Sequence, residues 1–172
     1  GGSGLAANER AVMAIIVTQI AAAAGAVAWM FTEWKTRGKP SLLGMISGAV
    51  AGLVAITPGS GFVEPAPALF IGLLAGVVCF FMVAVVKAKL GYDDSLDAFG
   101  VHGVGGILGA ILTGFFASSA VTRSELPAMW TQVGIQALSV VATLVYGGVM
   151  SFVILFIIKK TMGLRVSTDD EL

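Results

Sequence analysis

Charged residues punctuate this chain at intervals instead of being spread along it. Five long stretches carry none: residues 11–32, 41–58, 65–86, 98–122 and 126–158. Crossing the hydrocarbon core of a bilayer takes about 20 mostly apolar residues, within a range of about 17–25. Each stretch supplies that many once the loop residues at its ends are set aside. The strands of a membrane barrel would instead show about ten residues of strict alternation, which none of the stretches does. The pattern predicts an all-α integral membrane protein with five transmembrane helices, over residues 11–34, 41–57, 67–87, 98–118 and 129–158, and a tail over 159–172.

Composition points the same way. The chain is 57% hydrophobic and 12% charged, where a soluble domain carries roughly a quarter of its residues as charges. Its mean hydropathy is +0.95. A water-soluble domain of this make-up could not cover its exterior with polar groups. The 10 basic and 10 acidic residues cancel, leaving no electrostatic footprint for nucleic acid.

Where the charges fall is more informative than their sum. Lys35, Arg37 and Lys39 follow the first span, Lys87 and Lys89 the third, and Lys159, Lys160 and Arg165 the fifth. With alternating spans these lie on one side, and only Arg10 and Arg123 on the other. Positive residues accumulate on the cytoplasmic side, so the N-terminus is expected outside and the C-terminus inside a cell (plasma or inner) membrane. The opening Gly1-Gly2-Ser3-Gly4 has neither the basic nor the apolar region of a signal peptide. The expectation is a chain that begins within a longer polypeptide, with an engineered Gly/Ser linker as the alternative. Gly44, Gly48 and Gly52, Gly72 and Gly76, and Gly105 and Gly109 fall four apart, a spacing that lets helix backbones approach closely in lipid.

Candidate chemistry is sparse. Cys79 is a lone cysteine in an apolar run and reads as a small core residue. With it and one histidine, neither a disulfide nor a His/Cys metal site is available, and no cofactor is implied. The histidine, His102, sits among glycines just inside the fourth span. Ionisable side chains are costly in a membrane and tend to face a pathway or the bundle interior. A neutral imidazole offers one donor and one acceptor, enough to line a narrow apolar pore for a small hydrogen-bonding solute or to relay a proton. Asp93, Asp94 and Asp97 precede that helix and read as structural carboxylates at its N-terminus. Ser3 and Thr57 lie at predicted outer span ends, as caps or as solute contacts. Trp29, Phe31, Trp34, Tyr92 and Trp130 read as an interfacial belt. Phosphate loops, nucleophile elbows, HExxH and CxxC are all missing from the sequence, so no catalytic residue is assigned and no enzyme is expected.

Several segments together resemble the ammonium transporter (Amt) family, within the wider group of Amt, Rh and methylammonium permeases. Asp93-Asp94-Ser95-Leu96-Asp97-Ala98-Phe99-Gly100-Val101-His102-Gly103-Val104-Gly105-Gly106 is similar to its DD-x-x-D-x-F-G-V-H-G-x-x-G signature. Gly38-Lys39-Pro40-Ser41-Leu42-Leu43-Gly44 resembles a cytoplasmic loop of the family, and Ala51-Gly52-Leu53-Val54-Ala55-Ile56-Thr57-Pro58 the end of the next helix. Gly2-Ser3 with Leu5-Ala6-Ala7-Asn8 resembles the segment after its sixth helix, and Gly163-Leu164-Arg165-Val166 the start of its tail.

The resemblance implies an eleven-helix fold whose first ten helices form two inverted repeats, of which this chain would be helices seven to eleven. Inverted repeats place the substrate path at their interface, so one repeat supplies only part of a pore wall. His102 would be one of two paired pore histidines, Ser3 the hydroxyl of an external ammonium recruitment site, and Ser47 a residue of the inner path. Asp94 and Asp97 match aspartates read as structural. The family implies a homotrimer, with a PII-type signalling protein as a cytoplasmic partner. The function expected is transport of ammonium or ammonia through a histidine-lined hydrophobic pore. An ammonium sensor or signalling scaffold of the same fold, an Rh-type gas channel and an unrelated five-helix packing subunit are the alternatives.

Overall fold

The computed structural model describes residues 6–164, so Ser3 and Arg165 lie outside it. The described residues are helical, with no strand among them, and divide into two compact units, Gly1–Ala137 and Leu138–Leu172. Helix α1 is Glu9–Arg37, entered through Asn8, whose side chain accepts from the Ala11 amide at 3.1 Å, and closed by Gly38 at φ 81°. Helix α2 is Leu42–Ile56, with Ser41 as its N-cap. Helix α3 is Pro65–Leu90; proline at its first position sacrifices no helical hydrogen bond. Helix α4 is Phe99–Phe116, α5 the short Ser119–Thr122, and α6 Met129–Thr161.

Four of these, α1, α3, α4 and α6, are long and apolar enough to cross a membrane. The second predicted span is shorter than the bilayer asks, with 15 residues in α2 and thus a length of about 22 Å at about 1.5 Å per residue. The uncharged residues after it fold into a turn rather than another helical turn. Gly59 donates to the Ile56 carbonyl and Phe62 to that of Gly59, at 2.9 and 2.8 Å. Hydropathy alone reads helix and apolar turn as one run.

Within the first unit the small residues set the packing. Ala21 and Gly25 of α1 lie between two glycine pairs. A Cβ added to Gly52 or Gly72 would meet the Ala21 carbonyl oxygen at 2.1 or 2.3 Å, and one on Gly48 or Gly76 the Gly25 carbonyl at 2.5 Å. Backbone therefore touches backbone across α1, α2 and α3, with Val17, Ala51, Ala55, Ile71, Ala75 and Cys79 filling the core around that contact. Gly109 joins α4 to α2 in the same way, against Ala55. The start of α6 belongs to this unit, with Trp130 edge-on to Phe115.

One charge is buried at the α1–α2 corner. Glu33 is 5% exposed, and its carboxylate accepts from the Ser41 amide at 3.0 Å, from the Ser41 hydroxyl at 3.0–3.1 Å and from Arg37 at 3.4 Å. The Ser41 hydroxyl in turn accepts from Gly44. The carboxylate thus completes the capping of the next helix, which fixes the angle of the corner. Replacing Glu33 with alanine is expected to cost about 1.5–3 kcal/mol, the range for hydrogen bonds to a charged group. Glu33→Gln, which keeps an acceptor, should cost less. Thermal unfolding in detergent checks both.

In the second unit, α6 runs on to Thr161 with all its side chains outside any core. Phe152 and Phe156 stack one turn apart, and Lys160 reaches over the Phe156 ring.

Candidate functional site

The His102 segment is held at its base. The loop from Gly91 to α4 brings the Asp94 carboxylate onto the amides of Ala98 and Phe99, each at 2.9 Å. Those are free donors of a helix start, and a carboxylate there also complements the helix dipole. Asp97 takes the left-handed conformation at φ 55°, unusual for a residue with a side chain. Its carboxylate is bridged to Lys87 Nζ of α3 at 2.6 Å, and the same ammonium donates to the Asp94 carbonyl. Phe99 packs edge-on to Tyr92. Asp94 and Asp97 therefore act on the foundation of the helix, and no hydrogen bond joins either to the imidazole.

Above that base the helix does not begin as an α-helix. Phe99–Gly103 forms a π turn before α geometry starts at Val104. Such turns are rare, usually single, and often lie at functional sites. Within it Gly100 and Val101 are buried, while His102 is exposed on the surface of this chain. The Val101 carbonyl accepts a weak Cys79 thiol contact at 3.9 Å. Gly103 lies against the Phe99 ring, Gly105 faces inward to Cys79 and Val54, and the exposed imidazole offers its donor and acceptor to whatever lies against that surface.

Ser47 is half-buried on α2, the helix that packs against the His102 turn. Ser3 falls outside the described residues. Trp29 departs from the expected interfacial belt: it is 4% exposed, edge-on to Phe80 in the core. Small neighbours explain it, since the glycines of α2 and α3 open room for one large ring. Phe31, Trp34 and Trp130 remain exposed. A cavity of about 750 Å³ opens at the opposite end of the helices, where Glu9 pairs with Arg123 and Glu64 accepts from Ser118. His102 is not among its walls. Among the described residues no group of three or more His, Cys, Asp or Glu side chains converges to hold a metal.

Sequence reasoning passes over Glu33, the Lys87–Asp97 bridge and the π turns. A lysine ten residues before the last aspartate of the motif, across a short loop, is a signal for the bridge. The π turns have no compositional signature.

Known proteins place these features in context. A sequence profile described as the Ammonium Transporter Family matches residues 1–172. An ammonium transporter of Aquifex aeolicus is 53% identical over 99% of this chain and 41% of its own length. The crystal structure of Saccharomyces cerevisiae Mep2 superposes with a TM-score of 0.90 at 36% identity, over 98% of this chain and 40% of that one. A structure described as a sensor Amt protein gives 0.88 at 30% identity, over 97% and 41%. The chain thus spans about two fifths of the length of these relatives.

Proposed function

Because this chain belongs to the ammonium transporter family along its whole length, we propose that it forms part of a multi-pass membrane protein that moves ammonium or ammonia through a hydrophobic pore. The observation that carries the reading is His102. It is a polar, exposed side chain on an irregular turn of a membrane-crossing helix.

Energetics gives it a task. Ammonium entering an apolar pore loses its hydration shell, and an unpaired charge at membrane depth costs at least several kcal/mol. A path that passes the neutral molecule along imidazole groups avoids that cost over the narrow section. In this reading Ser3 contributes a hydroxyl to an external recruitment site, where aromatic faces would also attract the cation. Ser47 lies on the inner path. The N-terminal end of the chain is outside and the C-terminal end cytoplasmic. The complete protein assembles as a homotrimer of inverted-repeat subunits, and its cytoplasmic face takes a PII-type signalling protein.

The test is an ammonium pulse on proteoliposomes holding the complete polypeptide, with current and internal pH recorded and potassium as control. A current for ammonium and not potassium is the expected result. An internal alkaline shift without current would identify neutral ammonia as the species moved. Neither signal, from folded protein, would overturn transport and bring forward the sensor role that one structural relative carries in its description.

A further inference from the structure

The π turn that carries His102 has a counterpart. Helix α3 also contains one, at Met82–Val86, between regular α segments. The two are in contact. An added Cβ on Gly100 would lie 2.8 Å from Cγ2 of Val83 and 3.5 Å from its amide nitrogen. Below this contact the turn is held by the Lys87–Asp97 bridge at 2.6 Å, and above it the Val101 carbonyl meets the Cys79 thiol in a weak contact at 3.9 Å. Two rare irregularities, each of which loosens its own helical hydrogen bonding, meet at one pair of residues.

A π turn accommodates one residue more than the α-helix would, and one residue corresponds to about 100° of rotation. The direction of His102 therefore depends on whether its turn is π or α. From this juxtaposition we infer that the π turn of α3 is the template for the π turn of α4, so that Gly100, seated against Val83, is the positioning residue that aims the His102 imidazole. Gly100 provides the space, and Val83 fills it. Valine has one strongly preferred rotamer in a helix, so its Cγ2 cannot swing aside cheaply when that space is lost. Lys87 and Asp97 hold the start of the turn at the matching height. The functional consequence rests on the transport reading above; the positional one does not.

The experiment compares Gly100→Ala, Val83→Ala and the double variant in the complete polypeptide, by cryo-electron microscopy and by ammonium current with potassium as control. In Gly100→Ala the 99–103 turn is expected to change geometry and His102 to move. The ammonium-to-potassium current ratio should fall roughly fivefold, less than the roughly hundredfold that a displacement of about 1 Å costs at a reacting centre. Val83→Ala alone should leave both near wild type. The double variant should restore turn and ratio together, a rescue that a general loss of stability would not give. An unchanged turn and imidazole in Gly100→Ala would overturn the inference. So would a displaced turn that Val83→Ala fails to restore. Should the wild-type protein carry no ammonium at all while the turn still shifts and recovers, the positional inference stands and the transport reading falls. If Gly100→Ala does not fold, Lys87→Met tests the lower fastening by the same two measurements: a shifted imidazole supports the inference and an unmoved one overturns it.

Discussion

Replacing His102 with alanine in the complete polypeptide is expected to lower ammonium conduction roughly tenfold to a hundredfold and to weaken selectivity over potassium, with abundance and assembly unchanged. The magnitude follows from losing one hydrogen bond of about 1.5–3 kcal/mol to a charged or strongly polar permeant, where about 1.4 kcal/mol is a factor of ten. The fold should not notice. His102 is exposed, and the turn that carries it is held by Asp94 on two amides, by the Lys87–Asp97 bridge and by Gly100 against Val83. The measurement is paired current and flux in proteoliposomes, alongside the melting temperature. Wild-type flux and selectivity in the variant would remove the imidazole from the path.

The contrast between His102 and its supports separates what residue type reveals from what only folding reveals. A single histidine in an uncharged run stands out because burying polarity in a membrane is expensive, and that cost is written in residue type alone. Helix positions are legible for the same reason: charges mark the ends, so α1, α3, α4 and α6 fall within a few residues of their predicted limits. What stays hidden depends on partners far away in sequence. Glu33 reads as a charge at a helix end until Ser41 folds back over it. Trp29 reads as a belt residue until the glycines of two other helices make room for its ring. The shortness of α2 is concealed because an apolar turn and an apolar helix have the same hydropathy.

Glycine spacing shows the limit most sharply, and it yields the second large expected effect. By sequence, Gly52, Gly105 and Gly109 are equivalent members of four-residue repeats. In the structure they are not. A Cβ on Gly52 would lie 2.1 Å from the Ala21 carbonyl oxygen and 2.8 Å from its carbon; on Gly109, 2.0 and 2.7 Å from those of Ala55. These obstacles are backbone, which no rotamer change relieves, and Ala21 is pressed from the far side by Gly72. Moving α2 away from α1 would therefore open the three-helix contact. Gly105 instead faces the Cys79 sulfur and a Val54 methyl, both at 3.4 Å. Overpacking usually costs about 1–3 kcal/mol, and Gly52→Ala and Gly109→Ala are expected at about 3 kcal/mol, with lower yield and melting temperature in detergent. Gly105→Ala should cost under about 1 kcal/mol, because an added methyl there meets side chains at ordinary contact distance. Equal losses at all three positions would mean that the repeat itself, and not the backbone contact behind two of its members, sets the packing.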